Sequence, residues 1–153
     1  MMRVKLIAIG NILMGDDGIA IKVAERIKDS LQSKGIEVIM GETDVYYCFN
    51  KVLDSDLVII LDASYCGSSP GSITINSIED FSSYNDIGFS LHGMSILKLM
   101  EMYNLKKKGF IIGIEIKEIT FNVNISENLN NRFSDICSKV QDIVLDIYKK
   151  YGK

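Results

Sequence analysis

The stretch "VKLIAIGNILMGDDGIAIKVAERI", residues 4–27, decides how this chain is read. Val4 to Ile9 make an apolar run without alternation, the pattern of a strand buried on both faces of a parallel sheet. Gly10 stops the run. Two adjacent carboxylates, Asp16 and Asp17, then stand between Gly15 and Gly18. Ile19, Val23, Ala24, Ile27 and Leu31 follow at three- and four-residue spacing, the apolar stripe of an amphipathic helix that Gly35 terminates. Strand, glycine loop and helix together open an α/β fold.

The same alternation continues outward from that unit. "IEVIM" (36–40) and "LVIILD" (57–62) read as the second and third strands, with a short helix around Tyr46 to Leu53 between them. "CGSSPG" (66–71) is a loop built on glycine and the only proline, and "SITIN" (72–76) alternates like a strand with one exposed face. Residues 77–91 read as a polar, irregular loop, mobile over "FSSYNDIGFS". "HGMSILKLMEMY" (92–103) is helical with His92 at its start, and "FIIGIEI" (110–116) is the last strand. Residues 117–125 form a second irregular loop. Ser126 is the expected N-cap of one long final helix, with Glu127 in its first turn and Leu129, Phe133, Ile136, Val140, Ile143, Val144 and Ile147 along one face. The expectation is one α/β domain over residues 1–153, a three-layer arrangement with a mostly parallel sheet covered by helices.

Composition narrows the function. The 153 residues are 47% hydrophobic and 24% charged, the balance of a soluble globular protein with a proper core. A net charge of -3 gives no basic footprint, which argues against nucleic acid as a partner. No apolar run reaches the roughly 18–20 residues that span a bilayer, so no membrane partner is expected. The start "MMRVKLIAIG" superficially looks like a signal peptide, but its apolar part is short and acids follow where a cleavage site would sit. It reads as the first core strand of a cytoplasmic protein. Cys48, Cys66 and Cys137 form no C-x-x-C pair, so buried reduced thiols are expected rather than a zinc site.

In open parallel sheets, ligand sites lie beyond the carboxyl ends of the strands. Asp17 follows the first strand there, Asp62 ends the third, and His92, the only histidine, opens a helix after a long loop. Two carboxylates and an imidazole make a mixed oxygen–nitrogen set suited to zinc, nickel and similar borderline ions, whereas magnesium prefers oxygen alone. A nucleotide reading is disfavoured. "GNILMGDDG" lacks the ending of a P-loop, and two fixed negative charges occupy the helix start where a phosphate would dock. Structural readings stand beside the chemical one: Asp16 or Asp17 as a helix cap, Asp62 orienting a turn, His92 as a plain helix-start residue. Glu42 follows the second strand and reads as a surface residue that could add a carboxylate to the rim. No G-x-S-x-G surrounds Ser64, Ser68 or Ser69, so a serine hydrolase has no support.

At these residues the chain resembles the [NiFe]-hydrogenase maturation endopeptidases. "IGNILMGDDG" is similar to the family's first motif, "VIILDA" to its second, and "SLHGMSI" to the segment around its single histidine. "PGSITI" and "GFIIGIEI" fit its fourth and fifth strands, so the likeness runs over almost the whole chain in order. The resemblance implies a twisted five-stranded sheet with helices on both faces. It implies one cut near the C-terminus of a hydrogenase large-subunit precursor, made after nickel insertion. It puts the metal contacts on Asp17, Asp62 and His92, with nickel carried by the substrate rather than permanently bound; zinc or cadmium could occupy such a site in a crystal. Asp17 and Asp62 are then the catalytic carboxylates, Asp17 as the ligand that doubles as base, with water activated by the metal or by a carboxylate. Asn11, Asp16, Gly41 and Glu42 would hold the loops or touch substrate. The chain departs from the family at "GETD" (41–44), where Gly41 matches and Glu42 replaces a common glycine. It departs again in the loop after the fifth strand, which lacks the usual Gln-Pro pair. Two other classes use the same ligands: a non-catalytic protein that docks on a partner and checks its nickel, and a small-molecule hydrolase with a resident divalent ion.

Overall fold

The computed structural model describes residues 1–80 and 88–152. Its elements are β1 (Val4–Ile9), α1 (Ile19–Gln32), β2 (Ile36–Glu42), α2 (Val45–Leu53), β3 (Leu57–Ser64), β4 (Ile73–Ser77), α3 (Leu91–Met102), β5 (Lys108–Glu115), α4 (Glu127–Asn131) and α5 (Phe133–Tyr151). Two 3-10 turns, Gly15–Gly18 and Ile78–Asp80, precede α1 and follow β4. The strands form one five-stranded sheet in the order β2-β1-β3-β5-β4. Pairs β1–β2, β1–β3 and β3–β5 are parallel, and β4 runs antiparallel to β5.

Unbroken apolar strands are explained by the two faces they feed. Successive side chains on a strand point to opposite sides. Leu6, Ala8, Ile59, Leu61 and Ile112 therefore pack with Val23 and Ile27 of α1 and Val140 and Val144 of α5. Their neighbours Ile7, Ile9, Val58, Ile60 and Ile111 pack on the other face with Phe49 and Val52 of α2 and Ile96 and Leu97 of α3. The result is the three-layer, mostly parallel sheet expected from the sequence.

Several boundaries differ from that expectation. Lys5 interrupts the apolar reading of β1: it is 3% exposed, its stem lies in the sheet, and its Nζ sits 3.2 Å from Asp54 and 3.8 Å from Glu37. β3 runs on to Ser64, so Asp62 lies inside the strand rather than at its end. The long final helix is two helices. Arg132 leaves helical geometry between α4 and α5, and its guanidinium donates to the Pro70 carbonyl at 2.9 Å. Ser126 does cap α4, accepting from the Leu129 amide at 3.4 Å. Of the polar loop read over 77–91, the segment 81–87 lies outside the described residues. Ile78–Asp80 is helical and Phe89 bridges Ser64. Cys48 and Cys137 are buried and reduced; Cys66, by contrast, is exposed, because it begins the glycine loop beyond the end of β3. Among the described residues no helix is long and apolar enough to cross a membrane.

Candidate active site

The carboxyl ends of β1 and β3 meet the β1–α1 loop, the start of α3 and the loop after β5. An open cleft of about 430 Å³ lies there, lined by Met14, Asp17, Tyr65, Phe89, Ser90, Leu91, His92 and Ile119. Asp17 and His92 thus both line the cleft, whereas Asp62 is buried behind Ser90, which lines it too.

Asp17 is 8% exposed, with both oxygens engaged: Oδ2 accepts from the Asn11 amide at 3.0 Å and Oδ1 accepts from the Tyr65 hydroxyl. Asp16 is buried and faces away from the cleft's acids. Its Oδ2 accepts from the amides of Lys117 and Glu118 at 3.0 and 3.1 Å, and its Oδ1 from Ser126 at 2.6 Å. Three backbone donors fasten the loop after β5 to the loop after β1. Gly15 and Asn122 add reciprocal stitches, Gly15 N to Asn122 O at 2.7 Å and Asn122 N to Leu13 O at 3.0 Å. Neither acid caps α1, whose N-cap is Gly18 without a side-chain bond; the 3-10 turn aims both carboxylates sideways into other segments.

Asp62 is fully buried. Its Oδ1 accepts from the Ala63 amide at 2.8 Å, and its Oδ2 from the Ser90 amide at 3.0 Å and hydroxyl at 2.8 Å. Burial pushes its carboxyl up to about 7, against the pull of the Ser90 and Ala63 bonds, and the Asp17 charge adds to the rise. Ser90 in turn caps α3, its Oγ accepting from the Gly93 amide at 3.2 Å. Asp62 therefore sets the first turn of α3, on which half-buried His92 stands. Gly93 lies so close that a Cβ there would sit 2.4 Å from Asp62 Oδ2.

The other candidates are peripheral to the cleft. Gly41 is buried where β2 meets α2, with space for a Cβ taken by Cys48 Sγ at 2.2 Å. Glu42 is exposed in left-handed backbone, φ 50°, and its carbonyl accepts from the Gly10 amide at 2.9 Å. Among the described residues no group of three or more His, Cys, Asp or Glu side chains is arranged to hold a metal ion. Asp17 and His92 meet at the cleft while Asp62 is committed to Ser90.

Three residues bonded to the candidate acids or to the loops beside the cleft escape a reading of the sequence. Tyr65 carries no motif. Ser90 could have been found as the residue two before His92 that fits an N-cap. Glu115 is buried and accepts from Ser64 Oγ at 3.1 Å and from the amides of Cys66 and Gly67 at 2.9 and 3.1 Å, fixing the loop after β3.

Comparison with known proteins decides the family. The family described as hydrogenase maturation protease, HycI, matches residues 21–143, most of the chain. The chain belongs to the hydrogenase maturation protease family. That match covers Asp62 and His92 and begins after Asp17. The Methanocaldococcus jannaschii protein named "Putative hydrogenase maturation protease MJ0253" is 26% identical over 149 residues, 95% of this chain and 96% of that one. Two solved structures share the fold. The Escherichia coli hydrogenase maturating endopeptidase HybD superposes with a TM-score of 0.73 at 18% identity, covering 95% of this chain and 93% of that one. The [NiFe] hydrogenase maturation protease HybD from Thermococcus kodakarensis gives 0.71 at 24% identity, with 94% and 99% covered. As a hydrogenase maturation protease, the chain is an endopeptidase, and its cleft at the sheet's carboxyl edge is the candidate for peptide-bond hydrolysis.

Proposed function

We propose that this maturation protease removes the C-terminal extension of a [NiFe]-hydrogenase large-subunit precursor in the cytoplasm, after nickel has been inserted, and that Asp17, His92 and Asp62 recognise that nickel. The observation that carries the reading is that Asp17 and His92 line one cleft, with Asp62 bonded to Ser90 behind it. One further feature supports it. Asp16, Asp17, Asp62 and Glu115 are all buried at this edge, and among the described residues no lysine or arginine pairs with them. Of these, Asp17 lines the cleft itself and offers a negative charge to an arriving cation.

In this account nickel arrives with the substrate, already held by it, and the open cleft admits it. Asp17 and His92 supply an oxygen and a nitrogen from the wall. Asp62 stands behind them, bonded to the amide and hydroxyl of Ser90, which lines the same cleft. In the cut, a water oxygen bonds to the scissile carbonyl carbon, the carbon–nitrogen bond breaks, and the water's proton passes to the leaving amine. Asp17 takes that proton and returns it, a transfer that requires a carboxylate held in one orientation.

The test is incubation of the purified protein with a nickel-loaded large-subunit precursor, read by mass spectrometry. A precursor shortened at its C-terminus is expected. A stable complex with an uncut precursor would contradict the reading and favour a docking protein.

A further inference from the structure

Tyr65 lies one residue past β3 and is assigned no role by its sequence surroundings or by the family likeness. Its position is unusual in three ways. Its hydroxyl donates to Asp17 Oδ1. Its backbone amide donates to the Gly88 carbonyl, tying it to the segment that leads into Ser90 and His92. Its ring stands between two clefts: the one holding Asp17 and His92, and a second of about 410 Å³ over Gly67, Ser68, Pro70, Lys117 and Glu118. Ile119 lines both clefts as well.

The geometry points to Tyr65 as the positioning residue for Asp17, holding the carboxylate in the one orientation from which it serves the cleft. A free aspartate rotates about its terminal torsion. Here the Asn11 amide restrains Oδ2 and the Tyr65 hydroxyl restrains Oδ1. The Asn11 donor belongs to the loop's own backbone and cannot be removed without rebuilding that loop. The Tyr65 donor comes from 48 residues away and ties the acid to β3, the rigid centre of the sheet. The ring packs against the core cluster under α1 and α5 and is retained when only the oxygen is deleted.

This inference rests on the processing reading and is tested by Tyr65→Phe. With nickel-loaded precursor, kcat should fall by about tenfold to a hundredfold, the loss expected when a reacting group is misaligned by ~1 Å. KM should stay within about twofold, with circular dichroism showing the variant folded. An unchanged kcat, or a loss carried wholly by KM, would overturn it. Wild-type protein in the same assay reports separately on the processing reading. If wild type does not cut, the claim is decided by urea unfolding of Tyr65→Phe, Asp17→Asn and the double variant. Non-additive stabilities support the restraint on Asp17, and additive ones overturn it.

Discussion

Asp62 shows what a carboxylate becomes when a strand carries it into the core. The protein gives it three donors, yet burial still holds its carboxyl near 7, well above its ordinary 3.8. The folded chain thus binds a proton more tightly than the unfolded chain between about pH 4 and about pH 7. Stability must fall as pH rises through that window, because the unfolded state then carries fewer protons at this site than the native state. Asp62→Asn removes the titration while keeping an oxygen acceptor for Ser90. Urea unfolding across the window should show wild type losing stability relative to Asp62→Asn as pH increases. Parallel curves for the two proteins would show that Asp62 ionises in the folded state as it does in the unfolded one.

Two elements carry consequences of a single backbone position. Gly93 sits inside α3, where alanine would ordinarily gain about 1 kcal/mol over glycine. At this site the added Cβ meets Asp62 Oδ2 at 2.4 Å and Ile9 Cδ1 at 3.2 Å. The clash outweighs propensity, so Gly93→Ala should cost about 1–3 kcal/mol, read as a lowered thermal midpoint; a raised midpoint would mean that α3 can shift away from β3. Glu42 presents the opposite case. Its φ of 50° ends β2 in the left-handed region, which glycine adopts without penalty. Glu42→Gly should raise stability by about 0.5–1 kcal/mol, the left-handed penalty less the entropy glycine loses on folding. A fall in the thermal midpoint would show that the Glu42 side chain contributes more than its backbone costs.

At the scale of the whole molecule, the sheet was legible because β1 and β3 are buried on both faces, which demands unbroken apolar runs. The amphipathic stripes of α1 and α5 were legible for the complementary reason, one covered face each. Asp17, Asp62 and His92 could be singled out because a polar side chain beside an apolar run does not extend its pattern, although Asp62 proves to lie within β3. What stayed hidden depends on contacts distant in sequence. Asp16 looked like a helix cap, but its partners are 101 to 110 residues away. Tyr65 reaches Asp17 across 48 residues. The break at Arg132 answers to Pro70, 62 residues back. Periodicity reports only on neighbours along the chain, so such tertiary bonds leave no local pattern.

The central claim is that Asp17 and His92, meeting in one cleft, read nickel held by the substrate and direct a single cut. The most direct measurement compares nickel-loaded and nickel-free large-subunit precursor, each incubated with wild type, Asp17→Asn and His92→Ala, with circular dichroism confirming that all three proteins are folded. The account predicts a shortened product only from nickel-loaded precursor with wild type. Equal cutting of nickel-free precursor, or full processing by either folded variant, would contradict it.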